Sequence, residues 1–250
     1  MLLVALEVWG LMSLIDKVNK MSVHGKKYTA AKEQVLGNQM LSIKETLEAI
    51  KKLAYAKFDE SVDVDINLGI DPSKGEQAVR GSVVLPFKKG GNVRVLVFAK
   101  GDHADQAQEA GADYIGAEDL VEKIQGGWMD FDYAVATPDL MGVVGKLAKI
   151  LGPRGLLPNK KLGTVTFDVA DVIKDLKRGR LFFKNDKQGM IHFSFGKVSF
   201  DVDQLHQNLV TFLKALAAAK PAAAKGRFIK KATVSSTMGV GCSINPDEIL

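Results

Sequence analysis

Cysteine and histidine most often hold metals or attack substrates, and this chain is poor in both. Cys242 is the one cysteine, and His24, His103, His192 and His206 are the four histidines. They lie too far apart in sequence for metal-ligand spacing, and a lone cysteine cannot close an intramolecular disulfide. No histidine neighbours Cys242 and no serine sits in a nucleophile elbow, so neither arrangement for nucleophilic catalysis is present. Asp130 and Asp132 flank Phe131 and could pair as acid and base, although helix-to-strand turns are rich in aspartate for structural reasons.

Phosphate-binding loops fail on spacing. In Gly142-Val143-Val144-Gly145-Lys146-Leu147 two residues separate the glycines where a phosphate loop needs four, and Leu147 replaces the hydroxyl that would ligate magnesium. The turn Lys100-Gly101-Asp102-His103-Ala104 has one glycine and places an acid where a pyrophosphate would lie. No cofactor is expected. A nucleotide-dependent α/β enzyme is the rival reading, and it predicts ATP or NAD binding to residues 89–179.

Two segments fit RNA contact better. Residues 152–161 project Arg154, Lys160 and Lys161 from a stretch stiffened by Pro153 and Pro158, as either a rigid surface connection or a partner contact. Residues 235–241, Ser235-Ser236-Thr237-Met238-Gly239-Val240-Gly241, are small enough for a backbone to approach a ligand, with hydroxyls to donate to phosphate or ribose. The same composition also suits a tight hairpin. His192 alternates with Phe193 and faces the wet side of a sheet, as a satisfied structural histidine or as a donor to RNA.

Net charge is +5, and its distribution says more than its size. Residues 21–88 carry 10 basic against 9 acidic side chains and residues 180–250 carry 10 against 5, while 89–179 carry 12 against 13. No acid occurs from Gln204 through Pro246, where Lys214, Lys220, Lys225, Arg227, Lys230 and Lys231 supply six positive charges. Such residues provide salt-dependent affinity for polyanions, or simply a solvated face. A general single-strand RNA module would interleave them with aromatics, which are 7% of the chain and lie elsewhere.

The elements that must position these residues fall into two kinds. Ser42-Ile43-Lys44-Glu45 is a capping box opening a helix from about 43 to 56. Val62, Val64, Ile66, Leu68 and Ile70 alternate with polar residues, which predicts a strand with one face wet, and a second strand runs from Val79 to Leu85. From Val93 to Ala99 the sequence is almost continuously apolar, as in a strand buried on both faces. Helices near 103–110, 118–125, 140–150 and 170–178 alternate with strands near 113–115, 133–136 and 164–167. Alternation returns in 181–183 and 191–195, followed by a helix of roughly 203–219 and a strand pair around 227–245. The fold class expected is α/β and α+β: a discontinuous split β-α-β sandwich domain of 21–88 and 180–250, with a Rossmann-like three-layer α/β domain of 89–179 inserted. Hinge strands near 86–91 and 178–180, with Gly90, Gly91 and Gly179, would join the two.

Residues 1–15 are mostly apolar but lack a positive n-region, carry Glu7 and fall short of a membrane span. Met21 is the expected initiator and 1–20 a mis-assigned extension. No membrane partner is expected.

Ala56-Lys57-Phe58-Asp59-Glu60, Leu68-Gly69-Ile70-Asp71-Pro72, Val79-Arg80-Gly81, Gly127-Trp128-Met129-Asp130-Phe131-Asp132, Leu151-Gly152-Pro153-Arg154-Gly155-Leu156-Leu157-Pro158-Asn159 and Ser236-Thr237-Met238-Gly239 together, in order and spacing, resemble the ribosomal protein L-one family of bacterial type. The likeness covers about 21–246. It implies a cytoplasmic, ribosomal, non-enzymatic protein, monomeric when free, that binds large-subunit rRNA at the mobile stalk beside other components of that subunit. It further implies help in releasing deacylated tRNA from the exit site and repression of the protein's own mRNA through its leader. By matched position the RNA-contact residues are Lys57, Phe58, Lys187, His192, Lys197, Ser199, Ser236, Thr237, Met238 and Gly239. One departure is Val240, where the family commonly has proline.

Overall fold

The structure, a computed structural model, describes residues 25–35, 42–87, 90–224 and 226–245. The expected extension 1–20, Lys88 and Lys89 of the first hinge, and Lys225 of the basic run lie outside them.

Helix α1 (Lys26–Val35) buries only Ala31, so it carries no apolar stripe that periodicity could reveal. Helix α2 (Ile43–Leu53) begins at the expected capping box, with Glu45 N donating to Ser42 Oγ at 3.4 Å and Ser42 N donating to the Glu45 carboxylate at 3.1 Å. It ends short of residue 56 because Ala54 is extended and the Ala56 N–H donates to the Glu60 carboxylate at 2.9 Å. Strands β1 (Ser61–Leu68) and β2 (Arg80–Val84) follow. The middle of the chain supplies β3 (Val95–Phe98), α3 (Asp102–Glu109), β4 (Tyr114–Gly116), α4 (Glu118–Gln125), β5 (Tyr133–Ala136), α5 (Met141–Val144), α6 (Ala148–Arg154) and α7 (Val169–Arg178). Its return adds β6 (Arg180–Lys184), β7 (Met190–Lys197), α8 (Val202–Ala218), β8 (Ile229–Ser236) and β9 (Cys242–Ile244).

The result is a mixed α/β architecture of several sheets. Strands β7, β1, β8 and β9 form an antiparallel sheet in that order, so the centre is built from both ends of the chain. The alternation of β1 is realised: Val62, Val64, Ile66 and Leu68 are buried, while Asp63, Asp65 and Asn67 take the opposite face. Helices α2 and α8 cover the apolar face, contributing Leu47, Ile50, Leu205, Leu209 and Phe212 to a core shared with β1, β7 and β8. Phe193 and Phe212 stack with centroids 4.0 Å apart, and Phe183 meets Phe212 edge-on at 5.5 Å.

The parallel sheet β4-β3-β5 is covered on both sides. Leu96 and Phe98 of β3 pack with α4, α5 and α6, whereas Val95 and Val97 pack with α3 and α7, which makes three layers. Two expectations fail here. The helix expected near 140–150 is broken by 3-10 turns at Pro138–Leu140 and Gly145–Leu147, where Gly142 and Gly145 weaken helix propensity, and α6 then runs through Pro153 to Arg154. The strand expected at 164–167 is a single bridge from Val165 to Ala136, because Asp168 N donates to Thr166 Oγ1 at 3.1 Å and turns the chain into α7.

Strands β2 and β6 pair as a separate antiparallel ribbon where the chain enters and leaves its middle segment. Gly81 lies opposite Phe183, whose ring fills the space a side chain would need. The buried Asn208 of α8 fixes the entry point: its amide accepts from Phe87 N at 3.1 Å and donates to Phe87 O at 3.0 Å and Phe195 O at 2.9 Å. Gly179 ends α7 at φ 110° immediately before β6.

Candidate nucleic-acid interface

Glu60 falls in the inward phase of the β1 alternation, two residues before Val62, and is only 1% exposed. A carboxylate at that depth is stable only when hydrogen-bonded. It accepts from Ala56 N at 2.9 Å, from Met238 N at 3.1 Å, and from the Ser236 hydroxyl and Tyr55 N. Burial works against its ionisation, but these donors, the Ser236 hydroxyl foremost, hold its carboxyl below the usual glutamate range. Glu60 is thus the peg that joins the loop after α2 to the turn between β8 and β9.

That turn is fastened from its other side as well. Thr237 N donates to Ser61 O at 3.0 Å, and Ser61 N donates to Thr237 Oγ1 at 2.9 Å. The Thr237 hydroxyl donates in turn to Ser61 O at 3.2 Å, and Tyr55 Oη donates to Met238 O at 2.7 Å. The Thr237 hydroxyl, expected as a donor to RNA, is bonded to β1 in the free chain. Ser236 is buried against Glu60, and a side chain at Gly239 would collide with Ser236 Oγ. The segment is the tight hairpin of the alternative reading, and what it presents outward is Met238, 50% exposed. Phe58, 57% exposed, projects from the loop on the other side of the Glu60 peg.

A second carboxylate, Asp59, positions a neighbouring lysine and serine. Ser199 donates to Asp59 through its N at 3.2 Å and its Oγ at 3.0 Å, and Lys197 Nζ lies 3.5 Å from the same carboxylate. Desolvation opposes charge there, yet the two Ser199 bonds and the Lys197 ammonium hold the Asp59 carboxyl below its ordinary value. Lys197 and Ser199 are consequently positioned beside the hairpin, since Ser61 pairs with Lys197.

The structure gathers eight of the ten expected residues at this end of β1: Lys57, Phe58, Lys197, Ser199, Ser236, Thr237, Met238 and Gly239. His192 does not join them. It pairs with Asp65, four residues along β1 and roughly 13 Å from the corner at strand rise. There it lies on the polar face, with Nδ1 2.6 Å from Asp65 Oδ1 and Nε2 4.0 Å from Asp186. Lys187 is further still, in the turn between β6 and β7. Nor is the basic run gathered at the corner. Lys231 pairs with Asn67 near the far end of β1, and Lys214 is an exposed residue of α8, the helix that covers the opposite face of the sheet. Asp59, Glu60 and Tyr55 are the residues that sequence reasoning missed. For Glu60 the signal was present, as an acid in the apolar phase of an alternating strand.

The other candidates dissolve into structure. Asp132 accepts from Arg94 N at 2.9 Å, Gly142 and Gly145 lie in helical turns, and burial pushes the Cys242 thiol up in pKa. Among the described residues no cluster of His, Cys, Asp and Glu is placed to hold a metal, and no helix is long and apolar enough to cross a membrane.

A model of the ribosomal protein L1p/L10e family matches residues 50–240, a span that contains both the Glu60 peg and the hairpin it holds. On that match the chain belongs to the ribosomal protein L1p/L10e family, structural and rRNA-binding proteins of the large ribosomal subunit.

Proposed function

We propose that the corner made by Lys57, Phe58, Lys197, Ser199 and residues 236–239 grips large-subunit rRNA at the mobile stalk, with His192 and Lys187 as outlying contacts along the same sheet. The observation that carries this reading is the pairing of rigidity with exposure. Met238 and Phe58 stand in solvent on two loops pinned to one buried carboxylate, ready to pack on sugar or base without ordering cost. Lys57 and Lys197 supply phosphate attraction beside them. Backbone edges and fixed shape, rather than free hydroxyl donors, then read the RNA.

Residues 21–88 and 180–250 act as the RNA-binding domain, and residues 89–179 as an inserted α/β domain that swings on the crossings at 86–91 and 178–180. The separate cores on the two sides of the β2–β6 ribbon support that division. In this role the protein works in the cytoplasm as a monomer joining the ribosome, helps deacylated tRNA leave the exit site, and represses its own mRNA by binding a leader that mimics the rRNA site.

The test is filter binding of a stalk rRNA fragment at low ionic strength. Met238→Ala and Phe58→Ala should each weaken binding several-fold while leaving stability within about 0.5 kcal/mol, as expected of exposed residues. Wild-type protein that ignores the fragment, or variants that bind like wild type, would overturn the assignment. Competition by the mRNA leader, and by exit-site tRNA on assembled subunits, checks the two further roles.

A further inference from the structure

A cavity of about 450 Å³ opens between the end of α6 and the strands β6 and β7. One wall is residues 154–157; the other is residues 181–184 with His192 and Phe193. Its volume falls in the range of small-ligand sites.

Its lining is rich in positive charge. Arg154 and Lys184 reach it from segments thirty residues apart in sequence, and a methyl group built on Gly155 would lie 3.9 Å from Lys184 Nζ. Neither cation has an ion-pair partner among the described residues. The carboxylate in the lining, Asp132, already accepts from Arg94 N at 2.9 Å and faces Arg94 Nε at 3.6 Å, so it does not offset them. Two cations lining one cleft repel each other less when an anion lies between them. Beneath them Leu156, Leu157 and Phe182 form an apolar wall, with Phe182 braced edge-on by Tyr133 at 5.4 Å.

We infer that this cleft binds a nucleotide, with its phosphate bridging Arg154 and Lys184 and its base against Leu156, Leu157 and Phe182. A guanidinium grips phosphate in a planar fork and an ammonium adds a point charge, so the pair suits a tetrahedral oxyanion. The backbone does not contribute, because Gly155 N and Leu156 N are bonded to Gly152 O and Leu151 O. A free mononucleotide and a phosphate of the RNA chain offer the same chemistry. The inference is independent of the hairpin corner, which uses other residues at the end of β1.

Isothermal titration of the full chain at low ionic strength with AMP and with inorganic phosphate tests it. AMP should bind, inorganic phosphate should bind more weakly, and Arg154→Gln or Lys184→Gln should each weaken AMP at least tenfold. Lys174→Gln, an exposed lysine of α7, should leave AMP binding unchanged. Absence of AMP binding, or equal binding by both cleft variants and wild type, overturns the site; AMP no tighter than phosphate overturns the base wall. Displacement of AMP by a stalk rRNA fragment would assign the phosphate to the RNA chain, and joint binding would assign it to a free nucleotide. Thr237→Val is scored separately by RNA retention, so a failure at the corner is not read as a failure in the cleft.

Discussion

The two larger sheets solve the same packing problem in opposite ways. Strand β3 is central and buried along its whole length, with helices on both faces, so its sheet has no face to offer a partner. Strand β1 is equally central, but its helices cover one face and leave Asp63, Asp65 and Asn67 on the other. A covered sheet can bind only through the elements at its ends, such as the C-terminus of α6 that carries Arg154. A half-covered sheet can bind through its polar face and its corners, and there the side chains that hold the corner are as consequential as those that touch the ligand.

Glu60→Ala should break this contrast most strongly. It strips the acceptor from the N–H groups of Tyr55, Ala56 and Met238, at about 1–3 kcal/mol for each that stays buried and unpaired. Urea unfolding should show a loss of a few kcal/mol, and rRNA binding should fall more than tenfold. Asp132→Ala in the covered sheet should do neither, and a match between the two variants would refute the distinction. The same carboxylate gives a pH signature. Because its folded pKa lies below the ordinary value of about 4.3, its stabilisation is complete above that value and is lost as pH falls through the folded one. The stability difference between wild type and Glu60→Gln should therefore shrink on acidification below about pH 4.3.

Thr237→Val comes next. It removes the acceptor of Ser61 N and should cost roughly 1–3 kcal/mol. Calorimetric unfolding separates this from an RNA-only effect, since a variant of unaltered stability with weakened binding would mean that the hydroxyl serves the ligand instead. Lys230→Ala should have the smallest effect, flattening the salt dependence of RNA binding by about one counterion. A loss of affinity that persists at high salt would place Lys230 in a specific contact.

Periodicity made the sheets legible because burial acts on every second residue. The alternation from Val62 and the apolar run of β3 announced one half-wet and one fully buried strand, and both were found. The capping box at Ser42 and Glu45 marked a helix start as plainly. What escaped were features set by distant partners. Helix α2 stops early because the carboxylate of Glu60, seven residues beyond it, claims a backbone N–H. The edge strand near Val165 dwindles because a side chain diverts the chain after two ladder bonds. The candidate residues were legible by type and by resemblance, but not their division into a corner of eight and two outliers. That division follows from the register of β1 with β7, which no local pattern encodes.

The placement of β1 between β7 and β8 also governs how the chain can fold. Its partners for Val62 are Gly196 and Ser236, so β1 emerges during synthesis well over a hundred residues before either neighbour exists. The parallel sheet, by contrast, draws on one contiguous stretch and can condense while the rest is still being made. Through that wait β1 presents two bare edges, and the alternating aspartates Asp63 and Asp65 are the kind of charge that discourages wrong pairing of such edges. The polar face open to a ligand in the finished protein thereby also guards the nascent one against aggregation.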